Sequence, residues 1–338
     1  MPDIDRTWNL RMVRAREAMA LLPLDPDGLV DWNGVEIAHT DTGYTHNPVF
    51  LWDGDQSPIL SDGENYKEPG TRPHDPLNYK GYPGHGTRTA SVLCGNLPGS
   101  FVGVAPGAPT VCYRVTNTVV LGKNQRKRLA RAIRHAVATG CEVISMSLGI
   151  PGLSLFGGRP LGQAVDEAYD NGIIVVAAGG QVIDVVTYPG KFFRTIGVGG
   201  VTPEREVWFE YNRDMLNFID VWAPAHPIRR ANTVLVNGQE KYDFGDGDGT
   251  SYATVHVAGA AAMWLVYRGD EIEAKYSEPW MRIESFRKLL KKTRQDVEGD
   301  YQPAPDTGIL DIKALLDADL PRITQSDFEK RKAVDQFL

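Results

Sequence analysis

Three reactive side chains stand on glycine-marked turns, Asp41, His85 and Ser251. Asp41-Thr42-Gly43 ends a strand-like run over residues 35–41. An aspartate at the C-terminal end of a strand lies where α/β folds bind ligands, although one that only caps the next turn reads the same. Gly84-His85-Gly86-Thr87 opens a helix carrying Ala90, Val92 and Leu93. Its flanking glycines let a substrate or another backbone approach the ring; a structural histidine is the alternative. Gly249-Thr250-Ser251-Tyr252-Ala253 follows Gly245-Asp246-Gly247-Asp248 and runs into small apolar residues from Val257 to Leu265. A serine in the first turn of a buried helix sits among N–H groups without intrahelical partners, where negative charge is stabilised. Use of Thr250 or Ser251 as a simple N-cap is the plainer reading. A serine hydroxyl needs a histidine to take its proton before it can attack a carbonyl, and that histidine needs a buried carboxylate to fix its tautomer. The chain supplies all three types in the order Asp, His, Ser, without showing that they meet.

The elements that would position them follow the hydrophobic pattern. Residues 6–22 predict a short helix packed on the body, and residues 44–83, rich in Pro, Gly, Asp and Tyr, a long surface loop. Strands are expected over 35–41, 110–115, 141–149, 172–180, 194–201 and 215–223, and helices over 124–139, 161–171, 278–293 and 311–318. Asn237-Gly238 between two apolar runs signals a hairpin. A charged tail, 319–338, closes the chain. The basic face Lys123, Arg126, Lys127, Arg128, Arg131 and Arg134 reads as solvated. Strands alternating with helices spell an α/β fold, a mostly parallel sheet flanked by helices on both faces. No repeat or composition shift divides residues 1–338, so one domain is expected.

A chain of 338 residues with formal net charge −7 argues against nucleic acid or an anionic membrane as the main partner. Cys94, Cys112 and Cys141 lack CxxC spacing and read as small buried hydrophobes in a reducing compartment. The apolar run Ala18–Leu22 is too short for a signal-peptide core, and Val257–Tyr267 too short for a membrane span. A soluble cytoplasmic protein is expected.

With further segments in the same order, the three turns resemble the subtilisin-like serine proteases. These segments are His256-Val257-Ala258-Gly259, Gly103-Val104-Ala105-Pro106, Ser145-Met146-Ser147-Leu148-Gly149, Tyr188-Pro189-Gly190-Lys191, Ala223-Pro224 and Trp8-Asn9-Leu10. The resemblance implies a serine endopeptidase with Ser251 as nucleophile, His85 as base and Asp41 as orienting carboxylate. It also implies that Ser147, Leu148 and Gly149 pair with the substrate backbone. Ala177, Ala178 and Gly179 would wall a roomy apolar pocket for the residue before the scissile bond.

The chain departs from the family's pattern at Gly180, where an asparagine usually supplies the second oxyanion donor. Gln181, next in sequence, is expected to replace it, and an asparagine restored at position 180 to raise turnover if the oxyanion hole is incomplete. Tyr252 replaces the usual methionine, and Thr254-Val255 the usual Ser-Pro. No cofactor is required by this chemistry. Calcium, common in the family, has possible oxygen donors in Asp53, Asp55, Asp62, Glu64, Asp246 and Asp248, but no calcium-loop spacing. Only 40 residues precede Asp41, so an enzyme without a pro-domain, restrained by its 44–83 loop, a weakened oxyanion hole or a regulatory protein partner, is expected. The partner in any case is a peptide or protein substrate. A silent protease fold that binds peptides, or an acyl-transferring ligase or macrocyclase, would share most of these features.

Overall fold

The computed structural model describes residues 6–152, 158–181, 185–208, 218–301 and 303–337. It opens on two short helices, α1 (Trp8–Met12) and α2 (Ala15–Met19). The single helix expected over residues 6–22 breaks at Arg14, whose φ of 54° is left-handed. Next come β1 (Ile37–Asp41), β2 (Leu60–Asn65), α3 (His85–Cys94) and the small hairpin of β3 (Asn96–Leu97) and β4 (Phe101–Val102). The middle of the chain alternates: β5 (Thr110–Arg114), α4 (Lys123–Ala138), β6 (Val143–Met146), α5 (Arg159–Asp170), β7 (Ile174–Ala178). Then β8 (Ile196–Val201), β9 (Val221–Pro224) and the hairpin of β10 (Ile228–Val236) and β11 (Gln239–Gly247) lead to α6 (Thr250–Lys275) and α7 (Pro279–Lys292). Three short helices follow, α8 (Ile312–Asp317), α9 (Gln325–Glu329) and α10 (Val334–Phe337).

Seven strands form one sheet in the order β2-β5-β1-β6-β7-β8-β9, and every neighbouring pair is parallel. Strands β1, β5, β6 and β7 are buried along their whole length, as a sheet covered on both faces requires. From β1 the chain goes to the edge strand β2, returns to place β5 between them, and then crosses to build β6 to β9 on the other side. The C-terminal end of β1 is thus a topological switch point, where open α/β sheets bind ligands. On one face α6 packs across β6, β7, β8 and β9; on the other α4 lies beside α5. Helix α6 is buried around its whole circumference from Tyr252 to Val266, with Thr254 and His256 as the polar residues in that stretch, close to the pattern of a helix buried on all sides.

Several expectations are corrected. The 44–83 segment is more than a surface loop: it supplies the edge strand β2 and buries Tyr44, Val49, Phe50 and Ile59. The C-terminal stretch is docked, with a capping box at Thr324 and Asp327, Lys288 Nζ 2.8 Å from Asp327 and Arg331 Nε 3.0 Å from Glu284. On α4 the basic face is not wholly solvated: Arg126 is buried, Arg131 lies over the Tyr66 ring and Arg134 pairs with Glu167. The strand expected at 215–223 begins outside the described residues, and its observed part is β9. The hairpin turns at Asn237 and Gly238 and runs nine residues on each side. All three cysteines are free and buried, and burial pushes their thiols up, Cys141 to about 11.

Candidate active site

Glycine lets the first two turns meet. A Cβ on Gly86 would lie 2.1 Å from the Gly43 carbonyl oxygen and 3.2 Å from the Asp41 Cβ, so only glycine lets α3 start against the end of β1. A polar clasp holds this junction. Gly86 N–H donates to the Thr42 hydroxyl (3.0 Å), and that hydroxyl donates to Asp75 Oδ2 (2.7 Å). Asp75 also accepts from Gly84 N–H at 2.8 Å. Nothing in the sequence singled out Asp75, which is buried and joins the 44–83 segment to both turns.

Asp41 is buried, and its Oδ1 accepts from Thr42 N–H at 2.7 Å and lies 2.8 Å from His85 Nδ1. Burial works to raise the Asp41 carboxyl. The charge and hydrogen bond of His85, with the Thr42 N–H, outweigh it and hold the group below the usual carboxylate range. A carboxylate only accepts, so His85 carries its proton on Nδ1 and turns the Nε2 lone pair outward. Ser251 Oγ lies 3.2 Å from that Nε2. His39, behind the pair, bonds Thr89 through Nε2 at 2.9 Å, and burial lowers its pKa. The neutral ring therefore packs beside Asp41 without competing for its charge.

Ser251 occupies the first turn of α6. It exchanges two contacts with Ser147: its Oγ is 3.3 Å from the Ser147 carbonyl oxygen, and Ser147 Oγ donates to the Ser251 carbonyl at 2.9 Å. The preceding N–H, of Thr250, donates to Gln181 Oε1 at 3.0 Å. Only the amide oxygen can accept that bond, so the Gln181 NH2 keeps its donors. Gln181 therefore reaches the serine turn. At Gly180, φ is +97°, and a Cβ there would lie 2.4 Å from Thr187 Cγ2. Position 180 offers an asparagine neither an ordinary backbone conformation nor free space beside Thr187.

A cleft of about 800 Å³ opens at His85 and Ser251, and its walls include Ser147, Leu148, Gly149, Ala178, Gly180 and Gln181. One residue assigned to the pocket wall turns away from it. Ala177 belongs to the core beneath the sheet, and the Gly179 backbone is bonded to Val198 and Thr187. Strands alternate faces, so Ala178 lines the cleft while Ala177 turns away. The sequence did not mark Thr187, which is buried between the walls. A Cβ on Gly149 would lie 2.5 Å from its Oγ1, and that hydroxyl bonds the Ala178 and Gly179 carbonyls. The pocket is accordingly narrower than its small-residue walls suggest. Its only sequence signal was position, directly before Tyr188-Pro189-Gly190. Nor is the expected substrate-pairing edge open along its length: Gly149 N–H donates to the Val119 carbonyl and Gly149 accepts from Leu121.

Of the acidic groups that could bind calcium, Asp55 and Asp62 face Arg72, Glu64 faces His135 and Asp248 faces His226. Among the described residues no three His, Cys, Asp or Glu side chains gather into a metal cluster.

The Subtilase family model matches residues 32–308, a span that holds all seven sheet strands and the three turns. The chain belongs to the subtilase family. It is similar to the major intracellular serine protease of Bacillus subtilis (strain 168), 31% identical over 274 residues, 78% of this chain and 77% of that protein. Subtilisin DY of Bacillus licheniformis is 30% identical over 294 residues, 85% of this chain and 89% of that protein. Among solved structures, a protease of Pseudoalteromonas arctica PAMC 21717 superposes with a TM-score of 0.70 at 22% identity, covering 93% of this chain and 97% of that one. This subtilase is a serine endopeptidase, and its substrate is a peptide or protein. No helix among its described residues is long and apolar enough to cross a membrane.

Proposed function

We propose that this subtilase hydrolyses peptide bonds through an acyl-enzyme, with Ser251 as nucleophile, His85 as general base and then acid, and Asp41 as the orienting carboxylate. The observation that carries this reading is the unbroken contact series from Asp41 Oδ1 through His85 to Ser251 Oγ, at 2.8 and 3.2 Å, on the wall of the cleft. As Oγ attacks the scissile carbonyl, its proton passes to His85 Nε2. Asp41, held ionised, stabilises the imidazolium, which then protonates the leaving amine. Water, activated by the same nitrogen, releases the acyl group. The tetrahedral oxyanion takes the backbone N–H of Ser251, which the first turn of α6 leaves without an intrahelical acceptor. Gln181 contributes its NH2 in place of the family's asparagine, supported by its bond to the serine turn. Ala178, Gly180 and Thr187 bound the pocket for the residue before the scissile bond. The name of the Bacillus subtilis relative supports action inside the cell.

Labelling by a fluorophosphonate probe tests the reading. The folded protein should label, and Ser251→Ala should not. Failure of the unmutated protein to label while its circular dichroism shows it folded would refute the nucleophile assignment.

A further inference from the structure

Beyond Ser251 the cleft wall changes character. The pocket walls come from the ends of β6 and β7. The opposite flank is built by α3 and β10, which pack on each other, with His85 and Ser251 between the two. This flank carries Arg88, one turn past His85, with Arg230 of β10 and Tyr252 next to the serine; all three line the cleft. They crowd together: a Cβ on Gly247 would lie 2.6 Å from both Arg230 Nε and the Tyr252 hydroxyl. Burial raises the Tyr252 pKa, and the adjacent Arg230 and Arg88 work against that rise. Arg88 Nη1 donates to the Pro83 carbonyl at 2.8 Å. Arg230 Nε and Nη1, by contrast, are buried with no acceptor.

A buried guanidinium without an acceptor is costly. The nearby carboxylates Asp246 and Asp248 line the same cleft without pairing with Arg230. Asp248 pairs with His226 at 2.5 Å, and Asp246 lies across the hairpin from Arg229. Arg230 is half-buried and lines the cleft with a positive charge, and among the described residues no carboxylate forms an ion pair with it. Guanidinium suits a carboxylate above other acceptors, and this one stands past the nucleophile, where the leaving half of the substrate lies.

We infer that Arg230, with Arg88 and Tyr252 beside it, receives a substrate carboxylate on the leaving-group side of the scissile bond. That carboxylate is either an Asp or Glu side chain within the first two residues after the cut or the terminal carboxylate of a short leaving peptide. The inference rests on Ser251 as the nucleophile. Arg230 acts here as a specificity residue and does not take part in proton transfer.

The test is cleavage of a peptide library read by mass spectrometry, followed by matched synthetic peptides differing only after the cut. These carry Glu, Gln or Lys internally, or end in a free acid or an amide. Glu over Gln, or free acid over amide, should be favoured about tenfold or more in kcat/KM, and the favoured pair identifies the source of the carboxylate. Arg230→Gln should bring that ratio near one, while Arg230→Lys keeps part of it. Fluorophosphonate labelling, run on each variant, reports an intact serine independently. Labelled protein with no acidic preference, or a preference that survives in labelled Arg230→Gln, overturns the inference and leaves the nucleophile standing. Folded protein that neither labels nor cleaves removes both.

Discussion

His256 offers the sharpest quantitative test of the packing beneath the nucleophile. Its ring lies wholly inside α6, with Nδ1 2.7 Å from the Tyr252 carbonyl oxygen and Nε2 2.9 Å from Asn9 Nδ2. A carbonyl only accepts, so Nδ1 carries the proton, and Nε2 accepts from the Asn9 amide. Ionisation would put a second proton at Nε2, where it meets a donor in a dry interior. Burial accordingly lowers the pKa from 6.5 to about 4, despite the opposing hydrogen bond to Tyr252. The folded value lies below the unfolded one, so the stabilisation is fully present above about pH 6.5. It is lost as pH falls toward 4, because the unfolded chain takes up a proton that the native ring refuses. At about 1.4 kcal/mol per pH unit, the loss approaches about 3 kcal/mol. Urea unfolding at pH 7.5 and 4.5 would measure it, in a Ser251→Ala background that prevents self-digestion, with and without His256→Gln. Other titrating groups cancel in the comparison. The stability gap between the two proteins should shrink by about 3 kcal/mol at the lower pH. A gap that does not change with pH would mean that the ring is not held neutral, and the reasoning fails.

Three further outcomes concern the cleft. Gln181→Ala should lower kcat about 10²–10³-fold with little change in KM if its amide meets the oxyanion; unchanged turnover would dismiss that role. Thr187→Gly should open the pocket and raise cleavage after large apolar residues about tenfold relative to alanine, read from the distribution of cut sites, and an unaltered distribution would remove Thr187 as the limiting group. Gly180→Asn should lower thermal stability instead of raising activity, by about 1–3 kcal/mol, measured by calorimetry.

The parts of this molecule legible in its sequence are those where backbone chemistry is local. The turns at Gly43, Gly84 and Asn237-Gly238 are written in residue type, and β7 in an unbroken apolar run. Strand β2 was hidden because Ser61, Asp62 and Glu64 break any apolar period, and its order comes from backbone pairing with β5. The docking of the C-terminal stretch depends on buried Glu284 and on Asp327, partners that charge composition does not reveal. At the site, Asp41, His85 and Ser251 were named from turn chemistry and family resemblance. Thr187, Asp75 and Arg230 were missed because their surroundings are distant in sequence: Thr187 touches Gly149, and Arg230 approaches Gly247 across a hairpin. Ala177 and Ala178 are alike in type, and only the alternation of β7 tells which one faces the cleft.

The separation of 166 residues between His85 and Ser251 has a bearing on how the protein is made. At about 5–20 residues per second of synthesis, roughly 10–30 s pass between the two. Every strand of the sheet is translated before α6, so the sheet face formed by β6 to β9 waits for the helix that covers it. Native closure of that face and arrival of the Ser251 hydroxyl are a single event. The growing chain therefore carries Asp41 and His85 well before Ser251, and the proposed triad is completed only as that sheet face is withdrawn from water.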